Sequence, residues 1–393
     1  MKKSILGKLS YSVVSTALIA GLLAGCGAKG TNGGSSDDVI KIGVNLELSG
    51  AVASYGQSIA EGIELGVEEI NAKGGIDGKK IELVKADNKS DAAEATNAAI
   101  KLTSQDKVAA IIGAATSGNT KAQVQIAQDN KTVLLTPSGT SPDLTGTDSV
   151  NDYIFRTCFI DPFQGSVAAN FAATKLNIKN AAIFADSASD YAKGLAASFK
   201  ETFAAAGGTV VAEEAYAAKD TDFRATLTRI KAANPEFVFI PGYYEEVGLI
   251  IKQAREMGIT VPFMGGDGWD SPKLVELAGA DALNNTFITN HYSSGDPDAK
   301  IQKFVESFKG KYSDKSPDAF NALGYDSIYL LSDSIDRADS TDGERIKDAM
   351  AQTKDLGLIS GTFTFDEMHN PIKTATVLKY EGGKQVFETK VNP

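Results

Sequence analysis

The sequence predicts an α/β protein with two doubly wound, Rossmann-like lobes, and three observations favour this fold class. Short β-rich runs alternate with longer segments of helical periodicity through most of the chain. Such alternation is typical of parallel sheets with helices on both faces. Residues 39–393 exceed the size of one comfortable core, so two lobes are expected. A helix, a Gly-Gly stop and a strand recur around Gly74-Gly75 and again around Gly207-Gly208, a weak internal repeat.

The first 25 residues predict an export signal. Lys2, Lys3 and Lys8 precede an apolar run over 11–24 that is too short to span a bilayer as a mature helix. The run ends in Leu-Ala-Gly-Cys at 23–26, which resembles the bacterial lipobox. That resemblance implies cleavage before Cys26 and lipidation of its sulfur. Residues 26–38 are rich in Gly, Ser, Asn and Lys, so we expect a flexible tether.

The composition of the mature chain disfavours several classes of protein. Three of the 39 basic residues lie in the signal, which leaves 36 basic against 50 acidic side chains and argues against nucleic acid as a partner. Cys158 is the only cysteine after Cys26, and we expect a buried core thiol. His291 and His369 lack metal-binding spacing, so we expect no metal site. There is no GxSxG elbow, P-loop or GxGxxG after the first strand, so neither an enzyme nor a cofactor is expected.

In the first half, predicted strands and helices alternate from residue 39. The strands cover 40–46, 81–85, 108–112 and 133–135, and the helices cover 55–72, 92–104 and 120–129. Within the first helix, Ile59, Ile63 and Ile70 have mostly helical spacing, and Gly74-Gly75 would end it as a left-handed cap does.

The same alternation restarts after residue 155. It predicts helices over 163–175, 192–206, 223–233 and 246–257, with strands over 181–184, 210–213, 237–240, 262–264 and 286–290. The C-terminal part predicts helices over 300–312, 320–337 and 342–352, and strand-like runs over 361–365, 374–380 and 385–391. We expect this part to be shared between the lobes.

One stretch, PFMGGDGWD at 262–270, sets a single carboxylate among glycines. Glycine has no side chain to obstruct a ligand and tolerates positive φ, so the backbone can approach closely. We expect Asp267 to hold a small cationic group, and an ordinary turn is the alternative. Asp186 and Asp190 are expected to be a turn residue and a helix cap.

Ligands of open parallel sheets bind at the carboxyl ends of the strands. The residues that follow the predicted strands are 49, 50 and 55; 114–117; 138–140; 186–191; 242 and 243; and 265–269. Small hydroxyls and helix N-terminal amides suit a carboxylate. An acid with tyrosines suits an ammonium, through a charge-assisted bond and cation–π contact. Together these residue types predict a site for an α-amino acid zwitterion.

Seven motifs, in order and at matching spacings, carry a resemblance to a known family: SGAVASYG, EEINAKGGIDGKKIELV, IIGAATSGNT, LLTPSGTSPDLT, DSASDYAKG, FIPGYYEE and FMGGDG. The body from Val39 to Pro393 resembles the leucine/isoleucine/valine-binding branch of the substrate-binding proteins of ABC importers. The resemblance implies the type I periplasmic-binding fold, with a hinge of three crossovers near Thr157, Thr289 and Phe365. The implied lobes are 39–157 with 290–364, and 158–289 with 365–393.

The resemblance also implies the ligand contacts. Tyr55 would cover the ligand, and Ala115, Thr116 and Ser117 would hold its carboxylate through backbone and a serine hydroxyl. Ser138, Gly139 and Thr140 would form a second loop of small residues that reaches both charged ends. Tyr191 and Tyr243 match tyrosines of the second lobe. Asp267 stands where the family commonly has a glutamate for the ammonium. Phe320 and Trp269 would wall the side-chain pocket, with core packing as the alternative for these two residues and for Tyr55.

The function that the resemblance implies is that of an extracytoplasmic, lipid-anchored receptor. It would close over leucine, isoleucine or valine and deliver the amino acid to the membrane permease of an ABC importer. We expect a monomer whose only contact with the membrane is the lipid anchor and the permease. Another small amino acid, an amide or a urea-like solute stays open as the ligand, and a sensory role stays open as the function.

Overall fold

The computed structural model describes residues 39–393, so the predicted signal, Cys26 and the tether lie outside the described residues. The strands are β1 (Val39–Leu46), β2 (Lys80–Asp87), β3 (Ala110–Gly113), β4 (Val133–Thr136), β5 (Ile154–Arg156), β6 (Asn180–Asp186), β7 (Thr209–Tyr216), β8 (Phe237–Phe239), β9 (Phe263–Gly265), β10 (Thr286–Asn290), β11 (Leu356–Gly357), β12 (Thr362–Phe363), β13 (Ala375–Glu381) and β14 (Lys384–Val391). The helices are α1 (Ala53–Ala72), α2 (Ala92–Lys101), α3 (Ser117–Asp129), α4 (Asp161–Asn170), α5 (Asp190–Ala205), α6 (Arg224–Ala232), α7 (Tyr244–Glu256), α8 (Pro272–Ala278), α9 (Ala299–Lys311), α10 (Ala319–Ala338) and α11 (Gly343–Ala351).

Two large sheets share one strand order. The first sheet is β2-β1-β3-β4-β5 and is parallel throughout. In the second sheet, β7-β6-β8-β9-β10 has the same order and is also parallel. The order reverses beside β1 and β3 in one sheet and beside β6 and β8 in the other, and ligands of open α/β sheets bind at such switch points. The predicted fold class is confirmed, and the weak sequence repeat corresponds to a repeated topology.

The end of the chain departs from the parallel expectation. β13 pairs antiparallel with both β10 and β14, at the edge of the second sheet. Gly382 and Gly383 join β13 to β14 with positive φ at both residues, and such a two-residue turn can only connect antiparallel strands. The predicted strand 361–365 is reduced to β12, which pairs with β11 in a two-residue ladder.

Some elements were missed or misplaced by the sequence patterns. The three-residue strand β5 and the seven-residue helix α8 were not predicted. Both are shorter than a periodicity can establish, although Ser271 and Pro272 form an N-cap and first-turn signal for α8. Helix α3 begins at Ser117, three residues before the predicted start, which makes Ser117 part of a helix N-terminus.

Helix α10 packs along α1, so residues from the C-terminal part of the chain lie beside the first sheet. Close approach depends on glycine: a Cβ on Gly62 would lie 2.0 Å from the Asn321 carbonyl oxygen, and one on Gly324 would lie 2.2 Å from that of Ile59. A capping box of Asp318 and Asn321 starts α10. This packing places Phe320, in the first turn of α10, next to Tyr55 of α1. No helix within residues 39–393 combines the length and apolarity needed to cross a membrane.

Candidate functional site

Loops from the carboxyl ends of both sheets meet around a small, narrow cavity. Nine of the twelve predicted ligand residues line it: Tyr55, Ala115, Thr116, Ser117, Ser138, Tyr191, Tyr243, Asp267 and Phe320. Gly268 is the tenth lining residue. Wider clefts of ≈ 780 Å³ and ≈ 1120 Å³ elsewhere on the described chain contain none of the twelve. The polar residues of the small cavity therefore mark it as the candidate site.

Asp267 supplies the carboxylate of this cavity and lies in the short turn that follows β9. Its side chain is buried, with 3% of the residue exposed. Tyr191 Oη donates to Oδ1 at 2.9 Å, Gln164 Nε2 donates to Oδ1 at 3.2 Å, and His291 Nε2 lies 2.9 Å from Oδ2. Asp267 is thus a turn residue whose carboxylate faces the cavity and three side-chain partners.

His291 contributes a hydrogen bond without contributing a positive charge. Burial lowers the pKa of His291 to about 4, against the opposing effect of the Asp267 carboxylate. The ring, stacked on Phe159 with centroids 3.8 Å apart, is therefore neutral and donates through Nε2. Among residues 39–393, no lysine or arginine lies within ion-pair distance of Asp267. The carboxylate is held by neutral donors alone.

The glycines around Asp267 are explained by crowding. A Cβ on Gly266 would lie 2.5 Å from Tyr191 Oη, and a Cβ on Gly268 would lie 2.9 Å from the Gly242 carbonyl oxygen. Neither glycine has positive φ. The expected close approach of the backbone is therefore present, whereas the expected use of left-handed conformations is not.

Aromatic rings form the walls between the two sheets. Tyr55 and Phe320 stack with ring centroids 4.4 Å apart, and Tyr191 and Tyr243 stack at 5.1 Å. Tyr55 of α1 donates from Oη to the Gly268 carbonyl oxygen and accepts from the Tyr244 amide at 3.2 Å. Burial raises the pKa of Tyr55 and of Tyr191 well above the usual value, so both hydroxyls stay protonated.

The other polar wall is the loop 114–117 between β3 and α3. Ser117 Oγ accepts from the Ser141 amide at 3.2 Å, which leaves the hydroxyl proton free to donate. Ser117 is also the first residue of α3, where backbone amides have no partner inside the helix. Ser138 Oγ donates to the Ala115 carbonyl oxygen at 2.7 Å and fixes the two loops to each other. A hydroxyl and a helix N-terminus are suitable ligands for a carboxylate.

The comparisons with known proteins identify the family of this chain. The family model described as periplasmic binding protein matches residues 39–385. The chain belongs to the periplasmic binding protein family. A relative from Pseudomonas aeruginosa, the leucine-, isoleucine-, valine-, threonine- and alanine-binding protein, is 31% identical over 354 residues, with 90% of this chain and 92% of that protein covered.

Two solved structures are similar to this periplasmic binding protein over 90% of its length. One is the branched-chain amino acid transporter substrate-binding protein LivJ from Streptococcus pneumoniae in complex with isoleucine, with 41% identity, a TM-score of 0.86 and 100% of that chain covered. The other is the leucine-binding protein LivK from Thermotoga maritima, with 38% identity, a TM-score of 0.85 and 99% covered. The family resemblance and the type I periplasmic-binding fold are confirmed, and the family indicates an extracytoplasmic location for the folded body.

Three predicted ligand residues of this periplasmic binding protein do not line the cavity. Trp269 is fully buried in the core, and its Nε1 donates to the Ile240 carbonyl oxygen at 3.0 Å. Gly139 lies behind Ser138, where a Cβ would be 2.7 Å from Thr136 Oγ1. Thr140 is buried next to it, and its carbonyl oxygen accepts from the Asp161 amide at 3.0 Å. Trp269 therefore packs in the core, which was the alternative to a place in the pocket wall. Phe320, by contrast, lies on the cavity wall.

Two smaller expectations have different outcomes. Asp186 is a turn residue as expected, because its Oδ1 accepts from the Ala188 amide at 2.9 Å. The expectation that Asp190 caps α5 is wrong: Ser189 is the cap, and Asp190 pairs with Lys121 at 3.1 Å.

Cys158 is a buried thiol as predicted, and burial raises its pKa to about 12. No cluster of three or more His, Cys, Asp or Glu side chains suited to a metal occurs within residues 39–393.

Sequence reasoning missed the side chains that hold the lining residues in place. His291 and Glu47 both follow strands, at the ends of β10 and β1, so the carboxyl-end rule could have found them. Gln164 lies inside α4, and Arg156 lies in β5, where no local pattern marks them. Arg156 is fully buried and donates to the carbonyl oxygens of Gly139 at 2.8 Å and Ser141 at 2.9 Å, which supports the second loop from behind.

Proposed function

We propose that this periplasmic binding protein is the lipid-anchored solute receptor of an ABC importer and that it binds a branched-chain amino acid in the cavity around Asp267. One observation carries the proposal. A buried carboxylate with only neutral partners faces a cavity whose other polar wall has a free hydroxyl and a helix N-terminus. An ammonium would supply the direct cationic partner that Asp267 lacks within residues 39–393, where the buried Lys373 acts on it only through longer-range electrostatics.

Each wall takes one part of the ligand. Asp267 and the Tyr191 hydroxyl hold the ammonium, while Ser117 and the first amides of α3 hold the carboxylate. Thr116 and Ala115 contribute through packing, because their amides already donate to Glu47. The stacked rings of Tyr55 and Phe320 present an apolar wall against which a small apolar side chain would pack. Leucine, isoleucine and valine fit this description, and the names of the relatives support them.

Binding is coupled to closure of two lobes. We place the lobes at 39–157 with 290–364 and at 158–289 with 365–393, with crossovers near Thr157, Thr289 and Phe365. The distribution of strands between the sheets supports these bounds. Contacts between the lobes describe a closed arrangement: Ser54 Oγ lies 2.7 Å from Ser271 Oγ, and Lys121 lies 3.1 Å from Asp190. A ligand that touches both lobes selects this form without any bond being made or broken.

Delivery then takes place at the membrane surface. Lipid on Cys26 and the tether 26–38 keep the monomeric receptor near its permease, which accepts the closed form. No cofactor takes part. Membrane fractionation and calorimetry of the Cys26→Ala variant test the anchor: we expect normal binding of leucine in solution and loss of the protein from the membrane fraction.

Calorimetry tests the ligand class. Leucine, isoleucine and valine are titrated beside 3-methylbutylamine and 4-methylpentanoate, which lack the carboxylate and the amine of leucine respectively. We expect the amino acids to bind with Kd near the micromolar range, about −8 kcal/mol, and each single-charge analogue to bind at least ~100-fold more weakly. Equal affinity for leucine and 4-methylpentanoate would contradict an ammonium site at Asp267.

A further inference from the structure

Glu47 is a buried anion directly behind the loop 115–117. It follows β1, is fully buried, and has four donors: the Ala115 amide to Oε2 at 2.9 Å, and to Oε1 the Thr116 amide at 3.1 Å, the Thr116 hydroxyl at 2.8 Å and Asn119 Nδ2 at 2.9 Å. Two of these donors are backbone amides of cavity-lining residues, and Asn119 lies in the first turn of α3. One carboxylate thus connects the end of a strand, a loop and a helix N-terminus.

The position of Glu47 is itself fixed by the neighbouring helix. Gly56 of α1 packs so closely on Glu47 that a Cβ would lie 2.2 Å from the Glu47 carbonyl oxygen. The backbone of Glu47 therefore cannot shift without moving α1 or β1, and the four donors hold its carboxylate against the loop. Because the amides of Ala115 and Thr116 donate to Glu47, the backbone that enters α3 at Ser117 is fixed, and the Ser141 amide at 3.2 Å holds the Ser117 hydroxyl oxygen.

We infer that Glu47 is a positioning residue for the carboxylate of the ligand, an inference that rests on the proposed function. It does not touch the ligand. It directs two loop amides away from the cavity and so fixes Ser117 and the α3 N-terminus as the carboxylate site. Its own negative charge opposes a ligand carboxylate through Coulomb repulsion, but the four donors that surround it reduce that effect. The positioning effect dominates, so loss of Glu47 weakens binding.

The variant Glu47→Gln tests whether the positioning effect or the Coulomb repulsion of Glu47 has the larger influence on the Kd for leucine. Glutamine keeps the size of the side chain, but its amide nitrogen would face either the Ala115 N–H or the Thr116 donors, and a buried donor facing a donor is unfavourable. The loop then rotates away. We expect the Kd for leucine to rise at least tenfold, while the Kd for leucinamide, which keeps the ammonium and lacks the carboxylate, rises less than threefold.

Two further variants of the purified protein complete the test. Asn119→Ala keeps the Glu47 charge and removes one donor, so we expect a several-fold rise in the Kd for leucine even where Glu47→Gln folds poorly. Glu236→Gln is the matched control, because Glu236 accepts the Lys179 and Asn180 amides at 2.8 and 2.9 Å far from the cavity. Its Kd for leucine is expected to equal that of the wild type.

The possible results distinguish the explanations. Tighter binding of leucine by Glu47→Gln would mean that repulsion outweighs positioning and would overturn the inference. An equal rise in the Kd for leucine and leucinamide would indicate a general structural defect and would also overturn it. A wild-type protein that binds no branched-chain amino acid would overturn the proposed function and the inference together, whereas unchanged binding in both site variants would overturn the inference alone.

Discussion

Substituting Asp267 by asparagine removes one charge from the cavity and leaves the surrounding hydrogen bonds intact. Asparagine can keep its oxygen toward Tyr191 and Gln164 and turn its nitrogen toward His291. The neutral imidazole then changes tautomer and accepts at Nε2 instead of donating. The apo protein keeps these three hydrogen bonds, but the imidazole proton moves to His291 Nδ1, which is buried without a partner among residues 39–393. We therefore expect the melting temperature of Asp267→Asn to fall by no more than a few degrees.

The cost falls on ligand binding. An ammonium enters a site in which the matching carboxylate has become a neutral amide, and breaking one side of a buried charge pair costs about 3 kcal/mol or more. Since 1.4 kcal/mol corresponds to a tenfold change in Kd, we expect the affinity for leucine to fall at least ~100-fold. Calorimetry at pH 7 measures this directly, with differential scanning calorimetry of the same samples for stability.

Asp186→Asn is the matched control for this experiment. Asp186 also lies at the carboxyl end of a strand of the second sheet and is buried, but it accepts from the Ala188 amide in a turn that asparagine supports equally well. Its Kd for leucine should be that of the wild type. An affinity within threefold of the wild type for Asp267→Asn would refute the assignment of Asp267 to the ammonium.

Three further predictions concern Tyr191 on the cavity wall, Trp269 in the core and the cap residue Asp318. Tyr191→Phe keeps the stack on Tyr243 and removes the hydroxyl that donates to Asp267. We expect calorimetry to show about fivefold weaker leucine binding, the equivalent of about 1 kcal/mol. Unchanged affinity would contradict a role of the hydroxyl in binding the ammonium. Trp269→Phe should lower the melting temperature and keep the Kd for leucine within about threefold of the wild type. An unchanged melting temperature with a clearly higher Kd would indicate that the indole contacts the ligand. Burial raises the pKa of Asp318 to about 7. Between about pH 4 and pH 7 the folded state therefore binds more protons at this carboxyl than the unfolded state does, and folding stability falls as pH rises through this range. Asparagine remains a good helix cap at this position. The melting temperature of Asp318→Asn should therefore match the wild type at pH 4 and exceed it at pH 8. An equal difference in melting temperature at the two pH values would contradict this pH dependence.

Tyr191 illustrates how the structure changes the design of an experiment. A cleft tyrosine judged from sequence alone would be replaced by alanine, on the expectation that it packs mainly on the ligand. In the structure, Tyr191 is buried, stacks on Tyr243 and accepts from the Gly268 amide at 3.0 Å. Removing the whole ring would therefore lower apo stability as well as affinity, which is why the phenylalanine variant is the informative one.

The sequence by itself determined the features that depend on local periodicity and on chain order. Alternating strand and helix patterns predicted the two parallel sheets, and the rule that ligands bind at the carboxyl ends of strands selected the loops that contain Ser117 and Ser138. Asp267 could be identified because a single acid among glycines is conspicuous in one short stretch. These inferences needed no knowledge of distant contacts.

The tertiary structure alone decided which side chains hold those residues in place. Gln164 reaches Asp267 across 103 positions of sequence, and Glu47 reaches Thr116 across 69. Trp269 lies in the core although it is two residues from Asp267, because the short turn directs the two side chains to opposite environments. The physical reason is that hydrogen bonding and burial depend on neighbours in space, and residues far apart in the chain become neighbours only when the sheets have formed.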